Sequence, residues 1–388
     1  MVNGVATLVV DLGNSSTRIK TYFGKNAKGE SRSHLSILDN RFGEIPQNKL
    51  PVYLEGDVYD ADESRVFTYN DKVYCNGIMC NTEFSSMAIR PTALEKKYES
   101  LVTKLTLINA LCQGYLDVAD FADTTLDQLD ISWNIALELP PDDIDVGAKK
   151  LAELVRSIDE VYFLMPELSK KINVESVKIY PEGFCALIAV LFEKPGVLRD
   201  GYRHLLEADT RTLVCDIGAG TTDFVMAEGC NVVSSTRFTR EIGGNNVHQR
   251  VRRLLKDANL ALSDRIVRQG CETGFVKSGA KTFDIRKYIA KAKDDVSKQL
   301  VDAVQEFFED SMIPVKSINN ILICGGGAED AGVEGIEPIS RYIVDYMTRL
   351  SADIALVELP IVTVNGQKNR VSPRLLNVLG AGILAEQQ

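Results

Sequence analysis

The chain has 388 residues, long enough for roughly two or three ordinary domains, and its 45% hydrophobic and 25% charged residues exclude disorder as the main state. Its 54 acidic and 44 basic residues give a formal net charge of −10, which disfavours non-specific attraction to nucleic acid or to an anionic membrane. Any DNA contact is then expected to be local or made through a partner. The longest apolar run, Phe184 to Phe192, is far short of the roughly 20 residues that cross a bilayer. The N-terminus passes at once into Ala6-Thr7-Leu8-Val9-Val10, which reads as a buried strand and not as an export leader, so a cytoplasmic location is expected.

The first predicted strand, Leu8 to Val10, empties into Asp11-Leu12-Gly13-Asn14-Ser15-Ser16-Thr17, and this pattern occurs twice. Residues 8 to 20 read LVVDLGNSSTRIK and residues 213 to 225 read LVCDIGAGTTDFV. Leu8/Leu213, Val9/Val214, Asp11/Asp216, Gly13/Gly218 and Thr17/Thr222 are identical at a constant offset of 205 residues. That offset is about half the chain, so two lobes of common design are expected, each opening on a buried strand.

In each copy an apolar run makes a strand, Asp ends it, Gly permits a tight turn and a Ser/Thr pair begins the return strand. Such a turn offers backbone N–H groups and hydroxyls to phosphate. A carboxylate beside it would repel phosphate unless a divalent cation lies between, and Mg²⁺ usually keeps its waters and is shared by carboxylates and phosphate oxygens. Two such turns facing each other would clamp a polyphosphate and its metal. A lone Asp-x-Gly is also a common hairpin signal, and the second copy in register is what argues against that reading.

Strand-like runs continue to about Ile37, and the polar stretch Asn40 to Asp71, with Pro46 and Pro51, reads as an insertion. Tyr98 to Leu116 has the apolar spacing of a helix, Asp130 to Leu139 reads as a buried strand ended by Pro140-Pro141, and Val146 to Ile158 as a charged helix. From Val177 to Ala186 a strand meets Pro181-Glu182-Gly183 and passes into an apolar helix. Glu182 there is either a carboxylate favoured by the helix dipole or a functional acid.

Arg211 to Ile217, Thr221 to Ala227 and Asn231 to Thr236 follow as strands. Gly243 and Gly244 open a helix and allow a ligand to approach its backbone. Arg250, Arg252, Arg253 and Lys256 in that helix read as a solvated face and not as a nucleic-acid patch. After a long helix, Arg286 to Phe308, the strand Ile321 to Cys324 runs into Gly325-Gly326-Gly327-Ala328-Glu329. This is either a platform for a flat nucleoside or a generic glycine-rich turn. The last helix, Asn377 to Ala385, carries Gly380-Ala381-Gly382 for close packing. The eight cysteines read as reduced core residues, and Cys75 and Cys80 have no second pair or neighbouring histidine to close a zinc shell.

In order, these elements resemble the nucleotide-binding signature of the actin, sugar-kinase and heat-shock chaperone ATPase superfamily. Asp11 to Thr17 is similar to its first phosphate motif, Val177 to Ala186 to the first connecting motif and Asp216 to Asp223 to the second phosphate motif. Ile321 to Glu329 is similar to the adenosine motif and Asn377 to Ala381 to the second connecting motif. Leu139-Pro140, Tyr180-Pro181-Glu182 and the total length make the chain most similar to ParM-type bacterial actin-like plasmid segregation proteins. Ala219-Gly220 departs from the commoner Gly-Gly arrangement, and residues 40 to 71 match nothing in the pattern.

The resemblance implies an α/β chain of the actin-like fold, with two ribonuclease-H-like lobes, a nucleotide cleft between them and smaller inserted subdomains. Lobe I would span 1–180, with an insertion within about 38–95, and lobe II 181–388, with an insertion within about 245–315. It further implies ATP or GTP with Mg²⁺, held through water by Asp11 and Asp216, and filaments whose stability follows nucleotide state. Gly13, Asn14, Ser15, Ser16 and Thr17, with Gly218, Ala219, Gly220, Thr221 and Thr222, would hold the phosphates. Gly243, Gly244, Gly325, Gly326, Gly327 and Ala328 would bind the rest of the nucleotide. Glu182 would orient or deprotonate the attacking water, making Glu182, Asp216 and Asp11 the catalytic set. The implied partners are other copies of the chain and a DNA-binding adaptor, with no direct nucleic-acid or membrane contact. A small-molecule kinase of the same superfamily and a non-filament ATPase switch are the rival readings.

Overall fold

The computed structural model describes residues 1–26, 29–54, 59–60, 63–92, 95–329, 333–364 and 367–386. They form two compact units, the first comprising Met1–Leu139, Asp143–Pro181 and the chain from Ala381 onward, the second Pro140–Asp142 and Glu182–Gly380. The change from one unit to the other falls between Pro181 and Glu182, and the end of the last helix returns to the first unit.

The first unit contains β1 (Val2–Leu12), β2 (Ser16–Lys25), β3 (Ser31–Asp39), β4 (Gly43–Ile45), α1 (Leu50–Leu54), β5 (Ser64–Tyr69), β6 (Lys72–Gly77) and α2 (Ile78–Glu83). After these come α3 (Leu101–Ala122), β7 (Leu129–Leu139), α4 (Ile144–Arg156), β8 (Glu160–Met165), β9 (Glu167–Lys171) and β10 (Asn173–Pro181). Its main sheet has the order β10-β7-β1-β2-β3. Strand β1 pairs antiparallel with β2 and parallel with β7. Alternate residues Ala6, Leu8, Val10 and Leu12 of β1 enter one core with Leu105, Ile108 and Leu111 of α3, as a period of two meeting a period of 3.6 requires.

Helix α3 starts where the Ser100 hydroxyl accepts from the Val102 amide and stops at Asp123, whose φ of 49° is left-handed. It therefore runs past Leu116, the end that apolar spacing suggests. Strands β4, β5 and β6, which lie in the stretch read as an insertion, form with β8 and β9 from outside it a second sheet of order β4-β6-β5-β8-β9, beside a core of Ile45, Val66, Val73, Cys75, Met79, Cys80 and Phe84. Residues 55–58 and 61–62 of that expected stretch lie outside the described residues.

The second unit follows with α5 (Phe184–Leu191), β11 (Phe192–Lys194), β12 (Val197–Leu198), β13 (Arg211–Ile217), β14 (Thr222–Glu228), β15 (Asn231–Val232), β16 (Phe238–Arg240), α6 (Gly244–Asp257) and α7 (Asp264–Thr273). Then come β17 (Phe275–Ser278), β18 (Lys281–Asp284), α8 (Arg286–Ser311), β19 (Asn320–Cys324), α9 (Ile339–Leu350), β20 (Ala355–Leu356), β21 (Ile361–Val364), β22 (Gln367–Arg370) and α10 (Leu376–Glu386).

The sheet order is β15-β14-β13-β19-β20, with β16 also on β14. Again the Asp-bearing strand, β13, pairs antiparallel with the next strand and parallel with a later one. Both of its faces are covered. Leu213, Cys215 and Ile217 join a core with α6 and α8, and Val214 joins another with Ala186, Val190 and other residues of α5. The run Asn231 to Thr236, expected as one strand, pairs only at Asn231–Val232 and then closes a 3-10 turn. The Thr236 hydroxyl donates to the Val233 carbonyl at 2.6 Å and accepts from the Met226 amide at 3.0 Å, which competes with the ladder. No helix among the described residues is long and apolar enough to cross a membrane.

Candidate functional site

In the second unit β13 delivers Asp216, 5% exposed, to the turn Gly218–Thr221, which is closed by the Gly218 amide donating to the Thr221 carbonyl at 2.8 Å. Two further loops fold onto this turn through its carbonyls. The Gly244 amide donates to Gly218 O at 3.0 Å, the Asn245 amide to Ala219 O at 2.7 Å and the Gly327 amide to Ile217 O at 2.7 Å. With the carbonyls occupied on that side, the amides of Ala219, Gly220 and Thr221 have no acceptor among the described residues, and the turn is half-buried. Successive unserved amides make an anion-attracting concavity.

The close approach depends on absent side chains. A Cβ on Gly243 would stand 2.6 Å from Gly218 O, and one on Gly325, whose φ is +86°, would stand 2.2 Å from Asp216 Oδ1. The loop Gly325-Gly326-Gly327-Ala328 is thus laid against Asp216 and the phosphate-type turn, and a Cβ added at Gly244 would stand 3.9 Å from both Gly218 O and Gly327 Cα.

The threonines of the turn have separate duties. The Thr222 hydroxyl, fully buried, donates to the Ile242 carbonyl at 2.6 Å and so holds the loop that leads into α6. The Thr221 hydroxyl points to Asp223 Oδ2 at 3.5 Å, and Thr239 donates to Asp223 Oδ1 at 2.6 Å. Glu182, 7% exposed, lies in the turn from β10 into α5. The next residue, Gly183, rests on the sheet so closely that a Cβ there would be 4.0 Å from Asp216 Cβ. Glu182, Asp216, the Gly218–Thr222 turn, the start of α6 and the Gly325–Ala328 loop therefore all belong to the second unit.

The first unit carries the other copy. Asp11 is 5% exposed, and the Gly13 amide turns back to its carbonyl at 3.1 Å. Arg18, directly opposite Asp11 in the ladder, donates to its Oδ2 at 3.3 Å. The buried Thr17 hydroxyl donates to Asn40 Oδ1 at 2.5 Å, and the Asn40 amide group donates to Gly13 O, so Asn40 clamps the turn from behind. Asn14 and Ser16 are half-buried and Ser15 exposed at its outer edge.

Arg18 is legible as the first charge of the return strand, two residues after its start and seven after Asp11, whereas Asn40 sits in a polar stretch without pattern. Glu138, fully buried in β7, is hidden in sequence by the apolar run around it.

Beside α6, Arg268 donates to Asp264 at 2.7 Å and to Asn245 Oδ1 at 2.9 Å, and lies 3.3 Å from His248 Nδ1. Burial first, and then the Arg268 charge, hold the His248 pKa down at about 4, so the ring is neutral at neutral pH. Arg250 pairs with Asp295 at 2.7 Å, while Arg252, Arg253 and Lys256 are exposed. The thiols of Cys215, within β13, and Cys324, at the end of β19, are fully buried, and burial pushes the Cys215 thiol well above its ordinary range. Cys75 and Cys80 meet through a thiol hydrogen bond that raises the first and lowers the second.

The family described as archaeal actin homologue MreB-like, C-terminal, matches residues 214–334, a stretch running from β13 through the Gly325–Ala328 loop. No curated protein matches the chain. Among solved structures, the actin-like protein Alp7A is 17% identical with a TM-score of 0.68, over 99% of this chain and 96% of that one. A 15-stranded ParM filament from Clostridium botulinum is 17% identical with a TM-score of 0.66, over 99% and 100%. Ta0583, an archaeal actin homolog, in complex with ADP, is 13% identical with a TM-score of 0.65, over 99% and 100%.

The chain has the actin-like fold.

Within this actin-like chain the internal repeat is a repeat of register as well as of sequence. Asp11 faces Arg18 and Leu12 faces Thr17 across the first hairpin, just as Asp216 faces Asp223 and Ile217 faces Thr222 across the second. The two hairpins differ in the charge opposite the aspartate, a cation in the first and an anion in the second.

Proposed function

We propose that the chain binds a nucleoside triphosphate, ATP or GTP, with Mg²⁺ and hydrolyses it to time the assembly and disassembly of a filament of its own copies. The observation that carries this reading is Asp216, a buried carboxylate bordering a turn whose amides of Ala219, Gly220 and Thr221 lack acceptors among the described residues. A carboxylate next to an anion cradle is contradictory for phosphate alone and consistent for phosphate with a hydrated Mg²⁺. That donor set fits the group, with Asp216 as its water-mediated ligand in the second unit; Asp11 offers the equivalent carboxylate beside the turn of the first unit. Bound there, Mg²⁺ would neutralise phosphate charge.

The chain's own residues do the rest. In the second unit the amides of Ala219 to Thr221 bind phosphate oxygens, and in the first unit Asn14, Ser15 and Ser16 offer the equivalent edge, while Thr17 and Thr222 buttress their own turns from within. Gly244 and the Gly325–Ala328 backbone take the nucleoside. Glu182 holds the attacking water and accepts its proton, since phosphoryl transfer otherwise asks mainly for positioning and charge neutralisation.

Self-assembly is supported by the likeness to a ParM that forms a 15-stranded filament, and nucleotide binding by the likeness to Ta0583, crystallised with ADP. Plasmid segregation in the cytoplasm is the role this reading favours. With a net charge of −10 the chain would then reach DNA through a basic adaptor. The test is light scattering, negative-stain microscopy and phosphate release on the purified protein with ATP or GTP. Polymer and phosphate release are expected in Mg²⁺ and not in EDTA. Phosphate release without polymer over a broad concentration range would replace the filament with a solitary switch, and failure to bind any nucleotide would remove the reading altogether.

A further inference from the structure

Asn377, the second residue of α10, is 8% exposed and uses both ends of its amide inside the second unit. Its Nδ2 donates to Asp216 Oδ2 at 2.5 Å, and its Oδ1 accepts from the Gly183 amide at 3.1 Å. The orientation is unambiguous, because one neighbour can only donate and an ionised carboxylate can only accept. Gly183 has a φ of +74° and follows Glu182 directly, so the side chain ties the Glu182 turn to the Asp216 carboxylate. On the other side of the carboxylate, Oδ1 lies only 2.2 Å from where a Cβ on Gly325 would stand, so the glycine leaves it room.

We propose that Asn377 is a positioning residue: it fixes the rotation of the Asp216 carboxylate and the height of the Glu182–Gly183 turn in one frame, so that the acid and the metal-binding carboxylate are set together. This rests on the function proposed above. The residue type follows from the geometry. Aspartate at 377 would accept from Gly183 but could not donate to Asp216 when ionised, serine offers a single polar atom for two partners, and glutamine is one methylene too long. Partners of metal-binding carboxylates are typically worth about 10- to 100-fold in metal affinity or activity.

The experiment compares wild type with Asn377→Asp and Asn377→Ser, each checked by circular dichroism and thermal melting, using a fluorescent ATP analogue titrated with Mg²⁺ and, separately, phosphate release. For Asn377→Asp the Mg²⁺ concentration giving half-maximal nucleotide binding should rise about 10- to 100-fold, while binding in EDTA changes by less than about threefold. Turnover should fall in both variants with little change in KM for the Mg²⁺–nucleotide complex, and Asn377→Ser should be the milder. Unchanged Mg²⁺ dependence and turnover in a folded variant overturn the inference, as does failure of both variants to fold, which would make Asn377 a structural tie. If wild type binds nucleotide and the variants match it, only this inference falls. If wild type binds none, the proposed function falls with it.

Discussion

Arg18 donates to the Asp11 carboxylate at 3.3 Å from the directly opposite position of the neighbouring strand, with 11% and 7% of the two side chains exposed. A carboxylate this buried tolerates its charge only with a partner, and among the described residues the Arg18 guanidinium supplies one. Arg18→Ala should therefore destabilise the protein by about 2–4 kcal/mol, because Asp11 is left buried and uncompensated. Thermal melting in EDTA would register this as a drop of several degrees. If Asp11 serves a cation, Mg²⁺ with nucleotide should recover part of that loss; equal losses in EDTA and in Mg²⁺–nucleotide would count against Asp11 as a ligand.

Glu182 is buried in the turn between β10 and α5, one residue from the glycine that rests on Asp216. As a general base it should contribute about 10²- to 10⁴-fold to turnover. Glu182→Gln keeps the shape and removes the base, so phosphate release should slow by that order while affinity for a fluorescent nucleotide stays within about threefold. Under the proposed function the polymer should still form and should persist longer. Unchanged turnover would make Glu182 a helix-entry carboxylate and nothing more.

The elements that announce themselves in the sequence are those whose residues act locally. The repeat at Asp11 and Asp216 is legible because an apolar strand, an Asp-x-Gly turn and a hydroxyl pair are all contiguous, and α8 is legible because Ile289, Val296, Leu300, Val304 and Phe307 recur on one helical face. What stays hidden depends on contacts between distant segments. Strands β8 and β9 complete a sheet whose first strand, β4, lies more than a hundred residues earlier, and no local pattern encodes that pairing.

Asn40 and Asn377 look like ordinary polar residues until their partners are known, Gly13 and Thr17 for the one, Asp216 and Gly183 for the other. Residue type at Thr17 and Thr222 suggests phosphate ligands, yet their hydroxyls are turned to Asn40 and Ile242. Spacing does not reveal which way a hydroxyl turns.

His248 gives a pH dependence whose sign can be worked out. Its folded pKa is lowered from 6.5 to about 4 by burial and by Arg268, so between those values the unfolded chain binds a proton that the folded chain does not. Stability is therefore lost as pH falls from 6.5 towards 4, by up to about 3 kcal/mol from this residue. Melting temperatures of wild type and His248→Gln across that range should converge as pH falls, because the variant lacks the titration. Parallel curves would mean that His248 is solvated in both states.

Gly325 and Gly196 separate backbone strain from the requirements of the site. Both have left-handed φ, +86° and +72°, so alanine at either carries a conformational cost of about 1–2 kcal/mol. At Gly196 nothing lies within 4 Å of an added Cβ, and the loss should stop there. At Gly325 the Cβ would meet Asp216 Oδ1 at 2.2 Å and Ile217 O at 2.4 Å, neither of which can withdraw without disturbing β13 or the bond to Asn377. Overpacking adds about 1–3 kcal/mol, so chemical denaturation should place Gly325→Ala well below Gly196→Ala in stability. Nucleotide titration should separate them further, with affinity lost in Gly325→Ala and kept in Gly196→Ala. Equal nucleotide affinity in the two folded variants would detach the Gly325–Ala328 loop from the binding site.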